Sequence, residues 1–204
     1  MVTDDSWRLG KSDSNLYRLF DRVRKRVNTR LVSFLASCLD DSSGKKILEA
    51  GSGPAFGSFY FSKQPGVQLS VALDHDIEAL KDVRKQNPNL DVVVADIYQM
   101  PFKTNTFDLV WNSSTFEHLE KSNAALNEMK RVTRERGYVF CGVPFRFGPF
   151  FFQPFINRTN WGEWIGPVFS KKEIKSLFDQ AGLQFIKNNL YFFGCFMGIL
   201  AKKQ

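Results

Sequence analysis

Two hydrophobic rhythms divide the chain. From Leu16 to Leu35 apolar residues recur at helical spacing (Leu16, Leu19, Phe20, Val23, Val27, Leu31, Phe34, Leu35), while Arg18, Arg22, Arg24, Lys25, Arg26 and Arg30 fill much of the remaining surface. This predicts one long amphipathic helix or two shorter ones. A helix packed on a sheet is the favoured reading, since amphipathic helices mostly serve the core. A basic surface helix for lipid or RNA is the alternative. After the turn DDSSGKK the pattern becomes short runs of Val, Ile and Leu: KILEA, Leu69 to Leu73, Asp91 to Ala95 and Phe107 to Trp111, each expected as a buried strand. A helical pattern follows Asp76, a candidate N-cap, and another covers about Ser122 to Thr133. Gly137 is expected to end that second unit as a helix C-terminal cap, ahead of a strand from Tyr138 to Val143. Strands alternating with helices argue for a parallel sheet covered on both faces.

The stretch from Pro144 to Val168 breaks the rhythm, being rich in Phe, Pro, Gly and Trp. Ser170 and Glu173 then form a capping box opening a helix to about Gln180, with Gly182 ending it. Leu183 to Ala201 reads as two antiparallel strands joined near Asn188 and Asn189.

Composition narrows the class. At 204 residues, with 43% hydrophobic and 24% charged positions, the chain suits one globular domain that needs no staples. Its three cysteines, Cys38, Cys141 and Cys195, are widely spaced and form no CxxC, so neither a disulfide framework nor a zinc site is expected. A reducing cytoplasm is the expected setting. The polar first fifteen residues predict no signal peptide, and no apolar run reaches membrane-spanning length. The formal charge of +7 suits an acidic partner, nucleic acid or an anionic membrane, although a solvated basic surface explains it as well.

The chemistry gathers at strand ends. In ILEAGSGPAFG (Ile47 to Gly57) a strand ends near Glu49, and Gly51 and Gly53 follow in a turn where glycine permits positive φ and close approach of a ligand. Asp74 ends the second strand in LDHD, where an acid can accept from both ribose hydroxyls, while Asp76 fits a helix cap better. Asp96 ends the third strand, with Ile97 beside it, placed to meet an adenine amino group and ring. Three acids on consecutive strand tips would face one crevice and favour a cationic ligand. A dinucleotide fingerprint wants a small residue where Phe56 stands, and Pro54 occupies the loop, so a pyrophosphate is disfavoured.

ILEAGSGPAFG, VALDHD, ADIYQMPF, FDLVWNSSTFEHL and the helix before RERGYVF together resemble the class I S-adenosylmethionine-dependent methyltransferases, closest to the ubiquinone and menaquinone biosynthesis group. The resemblance covers about Lys45 to Val143 and extends loosely to Phe169–Lys203. It implies a Rossmann-like three-layer α/β sandwich, a mostly parallel seven-stranded sheet with an antiparallel last strand. Residues 1–204 would then be one methyltransferase domain, with 1–40 as a helical cap and 144–168 as an acceptor-side insertion. It implies S-adenosyl-L-methionine as cofactor, with Glu49, Gly51, Ser52 and Gly53 on its methionine part. Asp74 would hold the ribose with His75 beside it, Asp96 and Ile97 the adenine, and Asn112 would face the sulfonium end. The family's third glycine is replaced by Ala55. His118 or Glu117 could act as a general base, yet an orienting role for His118 is preferred; no metal is expected. Cys141 is expected in the core.

The acceptor implied is small and hydrophobic or aromatic, a lipid-like molecule included, served by the cluster Phe145, Phe147, Phe150, Phe151, Phe152 and Phe155 with Trp161 and Trp164. Arg146 could hold an anionic group on it. An RNA acceptor is the alternative, weakened by the lack of an Asn/Asp-Pro-Pro-aromatic signature. A cofactor-binding protein without catalysis is a further alternative.

Overall fold

The computed structural model describes residues 15–39, 43–149 and 166–204. In chain order the elements are α1 (Asn15–Ala36), β1 (Lys45–Ala50), α2 (Phe56–Phe61), β2 (Val67–Asp74), α3 (Ile77–Gln86), β3 (Asp91–Val94) and β4 (Phe107–Ser113). A 3-10 turn (Phe116–His118), α4 (Ser122–Val132) and β5 (Thr133–Pro144) follow, and then α5 (Lys171–Gln180), β6 (Leu183–Tyr191) and β7 (Phe196–Lys203). The seven strands form one sheet in the order β3-β2-β1-β4-β5-β7-β6. The pairs from β3 to β5 are parallel, and β7 runs antiparallel to both its neighbours. This is the Rossmann-like sandwich expected from the sequence.

Strand alternation sorts the two faces. Leu48, Val110, Cys141 and Ile199 point to one side, where α4 and α5 cover them with Leu126, Met129, Ile174 and Phe178. Ile47, Leu109, Trp111, Phe140 and Leu200 point to the other, under α1 and α2. Helix α1 is continuous, and its Leu31, Val32 and Leu35 are fully buried against that second face. The helix therefore belongs to the core, as its periodicity indicates. Asp76 caps α3 by accepting from the N–H groups of Glu78 and Ala79, and the Ser170–Glu173 capping box opens α5.

Two local expectations are corrected. Gly137 is not a helix cap: α4 gives way to β5 at Thr133, Arg136 takes the left-handed φ of 61°, and Gly137 lies within the strand. A Cβ there would sit 2.8 Å from Thr133 Cγ2 and 3.0 Å from the Asp108 carbonyl, beside the register shift between β4 and β5. Its missing side chain thus serves a kinked strand pair. Likewise Asn188 and Asn189 do not form the last turn. They pair with Ile199 and Gly198, so β6 continues until Leu190 and Tyr191 meet Met197 and Phe196. The turn falls at residues 192–195.

If α1 is integral to the fold, Leu35→Ala should lower the unfolding free energy by about 2–5 kcal/mol, whereas Arg26→Ala on its exposed side should change it by no more than about 0.5 kcal/mol. Urea titration of the two variants checks this.

Candidate active site

The turn after β1 is a bare loop of backbone. Gly51 and Gly53 adopt φ of 79° and 49°, and the N–H groups of Gly51 and Ser52 both donate to the Leu73 carbonyl at the end of β2. A Cβ on Gly51 would come within 2.2 Å of Thr115, whose hydroxyl donates to the Gly51 carbonyl at 2.8 Å. A Cβ on Gly53 would meet nothing within 4 Å, so that flank is open. Gly57 supplies the close helix packing that the sequence places one residue late, since a Cβ there would lie 2.2 Å from the Trp111 ring. Ala55, where the family has glycine, is held at a left-handed φ of 53° and is buried among Ala72, Val83 and Leu90.

Carboxylates from two strand tips hold this loop. Asp74 Oδ2 accepts from the Gly53 N–H at 2.7 Å, and its other oxygen accepts from the Asp76 N–H at 3.0 Å. Oδ2 keeps a lone pair for a further donor, while Oδ1 also lies 3.3 Å from His75 Nδ1. Glu49 is buried, and its Oε2 accepts from both the N–H and the hydroxyl of Ser58 at 2.6 Å. Burial raises the Glu49 pKa to about 7, against the opposing effect of the Ser58 hydrogen bonds. Asp96 is exposed beyond β3, with Oδ1 accepting from the Tyr98 N–H and Ile97 buried beside it. His75 is largely exposed, with Nδ1 3.3 Å from Asp74.

The end of β4 has two faces. The Asn112 side chain is fully buried on the α4 side, donating weakly to Met129 Sδ at 3.6 Å and meeting Cys141, whose thiol pKa is raised by burial. It does not line the cleft; the next residue, Ser113, does. That cleft lies between α1 (Val27, Asn28, Leu31), the glycine turn (Glu49, Ser52, Pro54, Phe56), the β4 tip (Ser113, Ser114) and the β6–β7 hairpin (Tyr191, Phe192, Phe196). The Tyr191 and Ser113 hydroxyls share a 2.7 Å hydrogen bond, and the Tyr191 ring stacks near Phe196 with centroids 5.7 Å apart. Period-two alternation running from Glu49 and Trp111 would have pointed to Ser113. The hairpin aromatics carry no comparable signal, because their position depends on a turn that the two asparagines misplace.

Other sequence candidates lie elsewhere. His118 is exposed at the end of the 3-10 turn, near Gly166, and is not among the residues lining the cleft. Arg146 pairs with Glu173 at 2.8 Å and donates to the Val168 carbonyl, so its guanidinium ties a loop to α5. Phe150, Phe151, Phe152, Phe155, Trp161 and Trp164 lie outside the described residues. Glu117 is buried with Oε2 unpartnered, and burial raises its pKa to about 8.

The buried carboxyls set a pH dependence. Both have folded pKa values above the ordinary 4.5. Their stabilisation is complete below that value and is lost as pH rises through 7 and 8. Thermal or urea unfolding between pH 5 and 9 should therefore show stability falling, and Glu117→Gln should remove a part on the order of 5 kcal/mol at the alkaline end. A flat difference between Glu117→Gln and the parent would contradict this account.

Residues 48–141 match the family model described as a methyltransferase domain. A demethylmenaquinone methyltransferase of Streptomyces avermitilis is 31% identical over 142 residues, covering 64% of this chain and 61% of that protein. A probable phthiotriol/phenolphthiotriol dimycocerosates methyltransferase of Mycobacterium ulcerans is 33% identical over 100 residues, covering 48% of this chain and 39% of that one. The chain thus spans only about two to three fifths of the length of these relatives. In fold it is similar to SAM-dependent methyltransferases of Thermotoga maritima (TM-score 0.70, 17% identity, 93% and 96% of the two chains) and Aquifex aeolicus (TM-score 0.67, 21% identity, 90% and 98%). With the glycine turn, the strand-tip carboxylates and the sheet order already in place, residues 48–141 match a methyltransferase domain, and the chain is similar in sequence to a demethylmenaquinone methyltransferase and in fold to SAM-dependent methyltransferases.

Proposed function

We propose that the protein binds S-adenosyl-L-methionine at the β1–β2–β3 strand tips and transfers its methyl group to a small hydrophobic or aromatic acceptor. The observation that carries this is the open Gly51–Gly53 turn set beside strand-tip carboxylates that retain free lone pairs. The Ser52 hydroxyl supports the fit, being buried at the cleft with no partner and so suited to a ligand's polar group. In this reading Asp74 accepts the ribose hydroxyls, with His75 alongside. Asp96 and Ile97 take the adenine by hydrogen bond and packing. Glu49, Gly51, Ser52 and Gly53 hold the cationic amino-acid end, and the backbone of Asn112 lies beside it.

When bound, S-adenosylmethionine supplies a methyl group already activated on a sulfonium. The chain's task is then to bind, orient and exclude water. Leu31, Val27, Phe56, Phe192 and Phe196 give the cleft an apolar lining suited to a hydrophobic acceptor. The Tyr191 phenol, its pKa raised by burial, stays protonated and with Ser113 offers a neutral hydroxyl pair for orienting a polar substituent. The similarity to a demethylmenaquinone methyltransferase and to a probable phthiotriol/phenolphthiotriol dimycocerosates methyltransferase is compatible with such an acceptor. The three free thiols suit a reducing compartment.

Titration calorimetry with S-adenosylmethionine should give saturable binding, and none with NADH. Asp74→Asn should weaken the cofactor by at least about tenfold, the loss of one charge-assisted hydrogen bond. A protein indifferent to S-adenosylmethionine would end this reading.

A further inference from the structure

The β6–β7 turn is built against its own backbone preference. Phe192 and Phe193 open it with φ of 51° and 55°, Gly194 follows at 79°, and the Gly194 and Cys195 N–H groups donate to the Tyr191 and Phe192 carbonyls. Consecutive left-handed positions favour Gly or Asn, because a Cβ at positive φ is strained. One of the two phenylalanines has a use inside, since Phe192 lines the cleft. Phe193 has none: 85% of its surface is exposed. Beside it, the loop after β5 presents Phe147 at 71% exposure. The two loops form one unit, because the Phe145 N–H donates to the Cys195 carbonyl at 2.8 Å and Gly148 packs directly on the Gly194 carbonyl. Two large aromatics therefore stand in water on a braced platform at the edge of the cleft, one of them held in a strained conformation.

The opposite wall of the cleft is α1, through Val27, Asn28 and Leu31. Adjacent to that apolar stripe run Arg22, Arg26 and Arg30 at i, i+4 and i+8, all exposed and without an ion pair among the described residues. Aromatic residues on one rim and an arginine ridge on the other, on a chain of net charge +7, complement an anionic lipid surface. Phenyl rings partition into the headgroup boundary, and guanidinium groups meet its phosphates.

We propose that this rim is a membrane-docking surface. Phe193 and Phe147 insert into an anionic bilayer interface, with Arg22, Arg26 and Arg30 on its phosphates, so that the cleft opens toward lipid. This goes beyond the methyl-transfer reading and does not depend on it.

The test is co-sedimentation of the full chain with vesicles of phosphatidylcholine, with and without phosphatidylglycerol. Binding is expected only with phosphatidylglycerol, weakening as salt is added. Phe193→Gly should lower partitioning by roughly tenfold, and each of Arg22→Gln, Arg26→Gln and Arg30→Gln by roughly fivefold. Because glycine relieves the strained turn, Phe193→Gly should melt at or above the parent temperature, which separates lost docking from lost folding. Affinity for S-adenosylmethionine, measured on the same variant, should not change. Several results would overturn the proposal: no lipid-dependent sedimentation, Phe193→Gly binding vesicles as the parent does, or a dimer that Phe193→Gly dissociates while vesicles stay unbound. Tight binding of single-stranded RNA with no vesicle binding would do so too. If cofactor binding fails while vesicle binding is seen, the functional reading falls and this one stands.

Discussion

The glycine turn keeps its shape because one strand-tip carboxylate accepts from its Gly53 N–H and a second anchors the helix that follows it. Asp74 reaches across from β2 to Gly53, and Glu49 reaches forward from β1 to Ser58 at the start of α2. These contacts fix the backbone between β1 and α2 from both ends. The packing is equally strict, for Thr115 and Trp111 occupy the space that side chains on Gly51 and Gly57 would need. The turn is thus defined by what approaches it, and the parallel order β2-β1-β4 brings those groups together. At Ala55 two small effects oppose each other: the left-handed φ costs about 1–2 kcal/mol, and the buried methyl offsets about 0.8 kcal/mol of it. That balance explains how alanine is tolerated there.

The sheet also assigns neighbouring residues to different tasks. On β4, Trp111 and Ser113 face the α1 side, and Asn112 faces α4. A residue quoted from a motif is thereby displaced by one position when its side chain, as opposed to its backbone, is considered. The same alternation leaves Cys141 sealed under α4 and α5, as its strand position indicates.

Most of the architecture could be read directly from the chain. Apolar runs such as KILEA and LSVAL have nowhere to go except a sheet covered on both faces, and Asp76 and Ser170 are caps with an evident hydrogen-bonding reason. The acids Glu49, Asp74 and Asp96 could be placed on strand tips because each follows such a run. What could not be read depended on pairing at a distance. Asn188 and Asn189 resemble a turn locally, yet the antiparallel ladder to β7 overrides them. That displaced turn is what carries Tyr191, Phe192 and Phe196 to the cleft, so the hairpin wall was hidden with it. Gly137 misled for a related reason, since a bare position beside a strand shift looks like a helix end.

Glu49 has a consequence for the empty and the filled site. A buried carboxyl that titrates near neutrality is content while protonated and alone. A positive group seated beside it would favour the ionised form, so occupancy and proton release become one exchange. Acidity would then favour the vacant fold and alkalinity the occupied one, with the crossover lying close to the pH at which cells operate.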